Sequence, residues 1–276
     1  MNHGVFSRAL QLFWYAVMAF LYAPLVVVVL FSFNASQSPA NFTGFSMRWY
    51  ERLFSNDAIL SAFQNSLSLA VSSSAIAVVL GAMLGYGMYR FRHWRLSGLV
   101  WLIYLPIVMP DVVYGISEMT FFITIYRTLG LFEPGLGTMI IAHVSFQIPF
   151  VALLVYSRLL VLDPLLFEAC ADLYASPIKC MWHFVIPLLW PALVASFLLA
   201  FTLSIDDFVI SFFTAGPGSA TLPIYVWSAI RKGITPEVNA IAALMIAAVT
   251  IAALAALLYH YIKFRFTYLT DNKEKQ

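Results

Sequence analysis

The sequence predicts an all-α membrane protein with six transmembrane helices, and three observations predict it. Of 276 residues, 62% are hydrophobic and 10% are charged, whereas charged residues make up about a quarter of a soluble domain. The mean hydropathy is +0.87, and 15 basic and 13 acidic side chains cannot coat a water-soluble core of this size. Six apolar stretches each reach the roughly 20 residues that a helix rising about 1.5 Å per residue needs to cross a bilayer. That shortage of polar surface argues against a soluble enzyme and a nucleic-acid-binding module, and a net charge of +2 sets up no global field, so the electrostatics lie in where the charges fall. Cys170 and Cys180 supply neither a disulfide framework nor a four-ligand metal site. No cofactor and no metal are expected.

The spans follow in order, as one transmembrane domain over 1–276. The first, at about residues 12–33, is too long for a signal-peptide core, and no small-x-small site closes it before Asn34, so it is expected to remain as a membrane helix. The second, at about 64–89, ends on the basic run YRFRHWR. The third, at about 97–125, carries Pro106 and Pro110 just before Asp111; the fourth, at about 138–160, carries His143, Gln147 and Pro149. The fifth, at about 184–213, carries Pro187, Pro191, Asp206 and Asp207, and the sixth lies at about 239–262. Prolines break the helical ladder, and broken backbone at membrane depth is tolerated where protein or a watery cavity satisfies it. Pro106 and Pro110 therefore point to a helix that lines a pathway.

Lys and Arg accumulate on the cytoplasmic side of a membrane protein. With both termini inside, that side holds Arg8, Arg90, Arg92, Arg95, Arg158, Lys179, Lys263, Arg265, Lys273 and Lys275, against Arg48, Arg52, Arg127, Arg231 and Lys232 opposite. Ten against five favours an even number of spans with both ends in the cytoplasm.

The acidic residues behave differently. Of 13, four fall within spans: Asp111, Glu118, Asp206 and Asp207. Each costs about 2.5–3.5 kcal/mol at the centre of a lipid-facing helix, and no Lys or Arg lies in the interior of a span to offset it. They must face protein or water. Asp111, Tyr114, Gly115 and Glu118 share one helical face at spacings of three, four and seven. On a continuous fifth helix Asp207 lines up with Ser204, Ser211 and Thr214 while Asp206 points about 100° away, which makes Asp207 the better candidate for a lumen. The plain alternative is that such an Asp caps a broken helix or bonds a neighbouring Ser. Four acids without an internal base favour a pathway that attracts cations. Tyr114, Trp49 in the first external loop, and Tyr225 and Trp227 further on offer aromatic faces to a cation, although membrane-interface anchoring is the commoner use of Trp and Tyr. His143 and Gln147 either face the cavity or bond between helices, the latter being usual.

Between the fourth and fifth spans, Asp163-Pro164 and Ser176-Pro177 each set an N-capping residue before a proline, the signature of a helix start. Two short helices with a turn near 174–176 are expected at the cytoplasmic surface. There is no G-x-x-x-x-G-K-[ST], hence no P-loop in this chain.

The run EACADLYASPIKCMWHFVIP, within a loop of about 161–187, resembles the EAA loop of bacterial ABC-importer permeases. Glu168, Ala169, Ala175, Ser176 and Pro187 match that pattern, Cys170 replaces its second alanine, and Tyr174 stands where the family has glycine. In a left-handed turn, tyrosine would cost about 1 kcal/mol that glycine does not. FTGFSMRWYERLF, LPIVMPDVVYGIS, FTLSIDDFVISFFTAGP and LPIYVWSAIRKGITPEVNA resemble, in the same order, spermidine/putrescine permeases of the PotC type. The resemblance implies the type I ABC-importer permease fold, with Glu168, Ala169, Cys170, Tyr174, Ala175 and Pro187 in a coupling loop that docks on an ATPase. It implies a non-enzymatic, multi-pass subunit of the bacterial inner membrane. Its implied partners are a second, homologous permease, two ATPases and a periplasmic polyamine-binding protein. The expected substrate pathway is Asp111, Tyr114, Glu118, Asp206, Asp207, Ser211 and Trp49. Alternatives left open are an ion-gradient-driven carrier using the same acids as a relay, and an ABC permease for ferric iron or thiamine. An anion such as sulfate would call for intramembrane Arg or Lys.

Overall fold

Helices account for nearly all regular structure in a computed structural model that describes residues 3–37, 41–91, 97–163, 165, 172, 176–233 and 236–274. They are α1 (His3–Ser32), α2 (Arg48–Phe54), α3 (Asp57–Arg90), α4 (Ser97–Val108), α5 (Asp111–Leu129), α6 (Leu136–Val161), α7 (Pro177–Cys180), α8 (Ile186–Ile205), α9 (Val209–Thr214), α10 (Leu222–Lys232) and α11 (Pro236–Glu274). Among the described residues, extended pairing amounts to one isolated bridge between Asn34 and Phe45. Among the described residues, five helical segments are long and apolar enough to cross a membrane, or six when the bent pair α4 and α5 counts as one.

Two of the six expected spans are not continuous helices. The third is split: the chain bends by 106° between α4 and α5. Pro110 is the cause, because it has no N–H to give to the helix and takes extended backbone, with φ −60° and ψ 133°. Asp111 then opens α5 with its carboxylate near the positive end of the helix dipole. The fifth span ends at Ile205 and the chain resumes helix at Val209, so Asp206 and Asp207 lie in a break. The helix expected to carry Asp207 is thus interrupted there, yet Asp207 stays beside Ser204 and Ser211, as expected from sequence, with all three meeting at His143.

Both expected capping residues before the fifth span are in use. The Leu165 N–H donates to Asp163 Oδ1 at 2.9 Å, and the Lys179 N–H to Ser176 Oγ at 3.4 Å. The second short helix is not a separate element, however. It runs through a π-turn at Met181–Val185 straight into α8. Pro187 accounts for the wide turn, since its ring crowds the carbonyl four residues back, at His183, and a π-turn relieves the clash. Glu168, Ala169, Cys170, Tyr174 and Ala175 lie outside the described residues.

The helices group into two compact units, 1–57 with 226–276, and 58–225. In the first, α1 packs along α11, which also meets α2. The turn after α1 is built on Asn34, whose Nδ2 donates to the Asn41 carbonyl at 2.8 Å and whose Oδ1 accepts from the Thr43 N–H at 3.0 Å. In the second unit, α3 carries small residues toward α6: Gly81 and Gly85, one turn apart, stand where any side chain would strike Val151 or the Ala152 carbonyl. Around that seam Ala77, Val151, Val155, Leu159, Val185, Leu189 and Ala200 form a core. A smaller cluster of Phe122, Ala142 and Ile210 joins α5, α6 and α9.

Candidate functional site

Both helix breaks lie in the second unit, and the helices that follow them pack together. Gly115, one turn into α5, has no side chain because Phe213 and the backbone of Ile210 on α9 occupy that space. The break before α5 and the break before α9 thus belong to one neighbourhood, and each bears acid.

At the first break Asp111 is exposed. One and two turns along the same face, Tyr114 and Glu118 are half-buried and joined through α6. The Tyr114 hydroxyl lies 2.6 Å from Ser145 Oγ, and Ser145 Oγ donates to Glu118 Oε1 at 2.8 Å. With Ser145 donating to the carboxylate, Tyr114 is the donor to Ser145. The shared face read from the sequence is therefore a physical cluster, completed by a serine that sequence reasoning did not single out.

At the second break the two aspartates part company. Asp207 accepts the N–H groups of Ser211 at 2.8 Å and Ile210 at 3.3 Å, capping the start of α9. Its Oδ2 also lies 3.4 Å from Nε2 of His143, which is fully buried. Asp206 is exposed. Its backbone terminates α8, at φ −98° and ψ −5°. The sequence ranked Asp207 above Asp206 for contact with a lumen; the folded chain occupies the oxygens of Asp207 and leaves the side chain of Asp206 outside. Among the described residues, no Lys or Arg pairs with Asp111, Glu118 or Asp206.

Ser211 is buried, with its Oγ 3.0 Å from His143 Nε2. His143 and Gln147 take the interhelical role: Gln147 Nε2 donates to Ser73 Oγ at 3.3 Å and to the Ala200 carbonyl at 3.1 Å. Ser73 escaped the sequence reading, although Ala62, Ser66, Ala70, Ser73, Ala77 and Gly81 form a helix-spaced stripe of small residues, and that stripe was the available signal.

Trp49 lies in the other unit and is 2% exposed. Its Nε1 donates to the Asn34 carbonyl at 2.6 Å, and the guanidinium carbons of Arg48 and Arg52 lie 4.4 and 5.2 Å from its ring. The structure gives this ring a packing role, with protein cations at the positions where a cargo ammonium was expected. Trp227 likewise carries Arg231, 5.1 Å from its ring. Pro187 is exposed near the start of α8.

Comparison with known proteins adds to this geometry. The family model for the binding-protein-dependent transport system inner membrane component matches residues 77–268. The chain is 41% identical over 239 residues to the putrescine transport system permease protein PotI of Escherichia coli strain K12, covering 86% of this chain and 85% of that one. It is 36% identical over 234 residues to the spermidine/putrescine transport system permease protein PotC of the same strain, covering 85% and 87%. A crystal structure of a bacterial ABC transporter involved in import of the acidic polysaccharide alginate superposes with a TM-score of 0.69 at 15% identity, over 92% of this chain and 96% of that one. The last likeness is one of fold alone.

Proposed function

The chain belongs to the binding-protein-dependent transport system inner membrane components, and from that membership we propose that it is a permease subunit of an ATP-driven importer that moves polyamines into the cytoplasm. The observation that carries the reading is the set of carboxylates without a base: Asp111 and Asp206 exposed at two helix breaks, and Glu118 half-buried between them in sequence. Acid placed at membrane depth costs several kcal/mol, and a diammonium or triammonium cargo is the counter-charge that would offset it in passing. Tyr114 would present its ring to the same cargo. Relatives named for putrescine and spermidine support this chemistry.

Energy must come from a partner, since the sequence has no P-loop. The loop bearing Glu168 would dock on a separate ATPase, and closure of that ATPase would rock the broken helices between outward- and inward-open states. A second, homologous permease and a periplasmic polyamine-binding protein would complete the assembly. The protein would span the inner membrane with both termini in the cytoplasm, by the distribution of Lys and Arg.

The test is polyamine uptake by vesicles holding the assembled transporter. Asp206→Asn and Asp111→Asn should each raise KM for spermidine or putrescine about tenfold, the size of a lost charge-assisted contact, while basal ATP hydrolysis persists. Glu168→Lys should abolish ATP-dependent uptake. Wild-type uptake in both Asn variants refutes the cationic pathway, and uptake by this chain alone under an ion gradient refutes the ATP-driven reading.

A further inference from the structure

A span cut at Asp206–Phe208 has two loose ends, and one imidazole holds both. His143 on α6 places Nδ1 2.8 Å from Ser204 Oγ, in the last turn of α8, and Nε2 3.0 Å from Ser211 Oγ and 3.4 Å from Asp207 Oδ2, at the start of α9. The direction of the bonds can be followed from the far end. Gln147 Nε2 can only donate, and it gives a hydrogen to Ser73 Oγ at 3.3 Å. Ser73 Oγ donates to Ser204 Oγ at 3.3 Å. At the other end Nε2 faces the Asp207 carboxylate, which in its ionised form can only accept, so the ring hydrogen sits on Nε2 and Nδ1 accepts from the Ser204 hydroxyl. The line runs from α3 and α6 through α8 and ends on the carboxylate that caps α9.

Polar groups buried in a membrane protein cost free energy that an all-apolar seam would not. This seam spends them at the one place where the fifth span has no backbone ladder. The adjacent aspartates have opposite environments as a result: Asp207 is tied inward by His143 and two N–H groups, and Asp206 stands outside.

We propose that His143 is a positioning residue for cargo recognition, stapling α8 to α9 across the break and engaging Asp207, so that Asp206 is the carboxylate presented to the cargo cation. The inference rests on the polyamine reading above for the role of Asp206. Removing the staple frees the break to change its angle and carries Asp206 with it, while the apolar packing of α6 remains.

The experiment is spermidine uptake by the whole assembled transporter, at matched amounts of complex, with KM and maximal rate measured separately. His143→Leu, of similar volume but without hydrogen bonds, is expected to raise KM about tenfold with ATP hydrolysis retained. His143→Gln, which can accept from Ser204 and donate toward Asp207, should restore KM to within about threefold of the wild type. Combining His143→Leu with Asp206→Asn should be no worse than Asp206→Asn alone, because both act on one group. Should His143→Leu fail to assemble, Ser204→Ala removes the Nδ1 partner at little change in volume and should raise KM in the same sense. A wild-type KM in His143→Leu, or in Ser204→Ala where only that variant assembles, overturns the staple while leaving the cargo reading intact if Asp206→Asn still raises KM. Unaltered uptake in Asp206→Asn overturns the assignment of Asp206 and the staple's purpose with it, and the cationic pathway falls too if Asp111→Asn is also unaltered.

Discussion

Replacing Gly85 by alanine should loosen the contact between α3 and α6, and the size of the effect follows from what the new methyl group meets. A Cβ built there lies 2.6 Å from the Ala152 carbonyl oxygen, 3.2 Å from the Tyr156 amide nitrogen and 3.2 Å from Val155 Cβ. Two of these are backbone atoms of α6, so no change of rotamer relieves them, and the helices must separate. A gap of roughly 0.5–1 Å forfeits about a quarter to a half of each dispersion contact across a seam. Lipid is as apolar as the core, so little hydrophobic driving force compensates, and the expected destabilisation is about 1–3 kcal/mol. Gly81→Ala should behave alike, with its Cβ 2.6 Å from Val151 Cβ. The pair should be less than additive, since one separation relieves both clashes. Gly87, on the same helix with nothing within 4 Å of a built Cβ, is the control. Its alanine variant should match the wild type or gain up to about 1 kcal/mol from helix propensity. Unfolding of the purified protein in mixed micelles, titrated with a denaturing detergent and followed by tryptophan fluorescence, reads all four. Wild-type stability in Gly85→Ala, or equal damage from Gly87→Ala, refutes the reasoning.

Three further outcomes are expected. Gly216→Ala should sharply lower the amount of folded protein on a gel-filtration profile, because its Cβ would overlap the Pro134 carbonyl; Gly218→Ala, with φ +75° but open space around it, should cost only about 1 kcal/mol. Trp49→Phe keeps an aromatic ring but removes the hydrogen bond to the Asn34 carbonyl, and should lower the detergent-unfolding midpoint by an equivalent of about 0.5–1.5 kcal/mol while leaving KM for polyamine uptake unchanged. A raised KM at unaltered stability would instead give Trp49 a direct part in cargo binding.

Much of the candidate site was legible because membrane physics makes acid conspicuous. Asp111, Tyr114 and Glu118 could be placed on one face since α5 is an unbroken helix over them, and period alone then dictates who is neighbour to whom. Asp163 and Ser176 were recognisable as caps because a cap is a local motif, decided within three or four residues. In the fifth span the same reasoning carried helical period across 206–208, which the chain does not wind into helix, although Ser204, Asp207 and Ser211 still meet at His143. No proline marks that break, and its one local sign is the capping preference of aspartate, which Asp207 fulfils at the start of α9.

Composition and charge by themselves determined that this chain lives in lipid, roughly where it crosses, and that four acids fall within its spans with no Lys or Arg near their centres. These are properties of segments, and the cost of transferring each segment into hydrocarbon is local to it. Tertiary structure alone decided which acid is spent on the fold and which is left over. That choice depends on His143 arriving from a helix more than 60 residues away, as the His143–Ser204 contact spans 61 positions and the His143–Ser211 contact 68. A buried hydrogen bond needs its partner within about 3 Å and correctly aimed, a condition set by how helices pack and invisible to any window slid along the sequence.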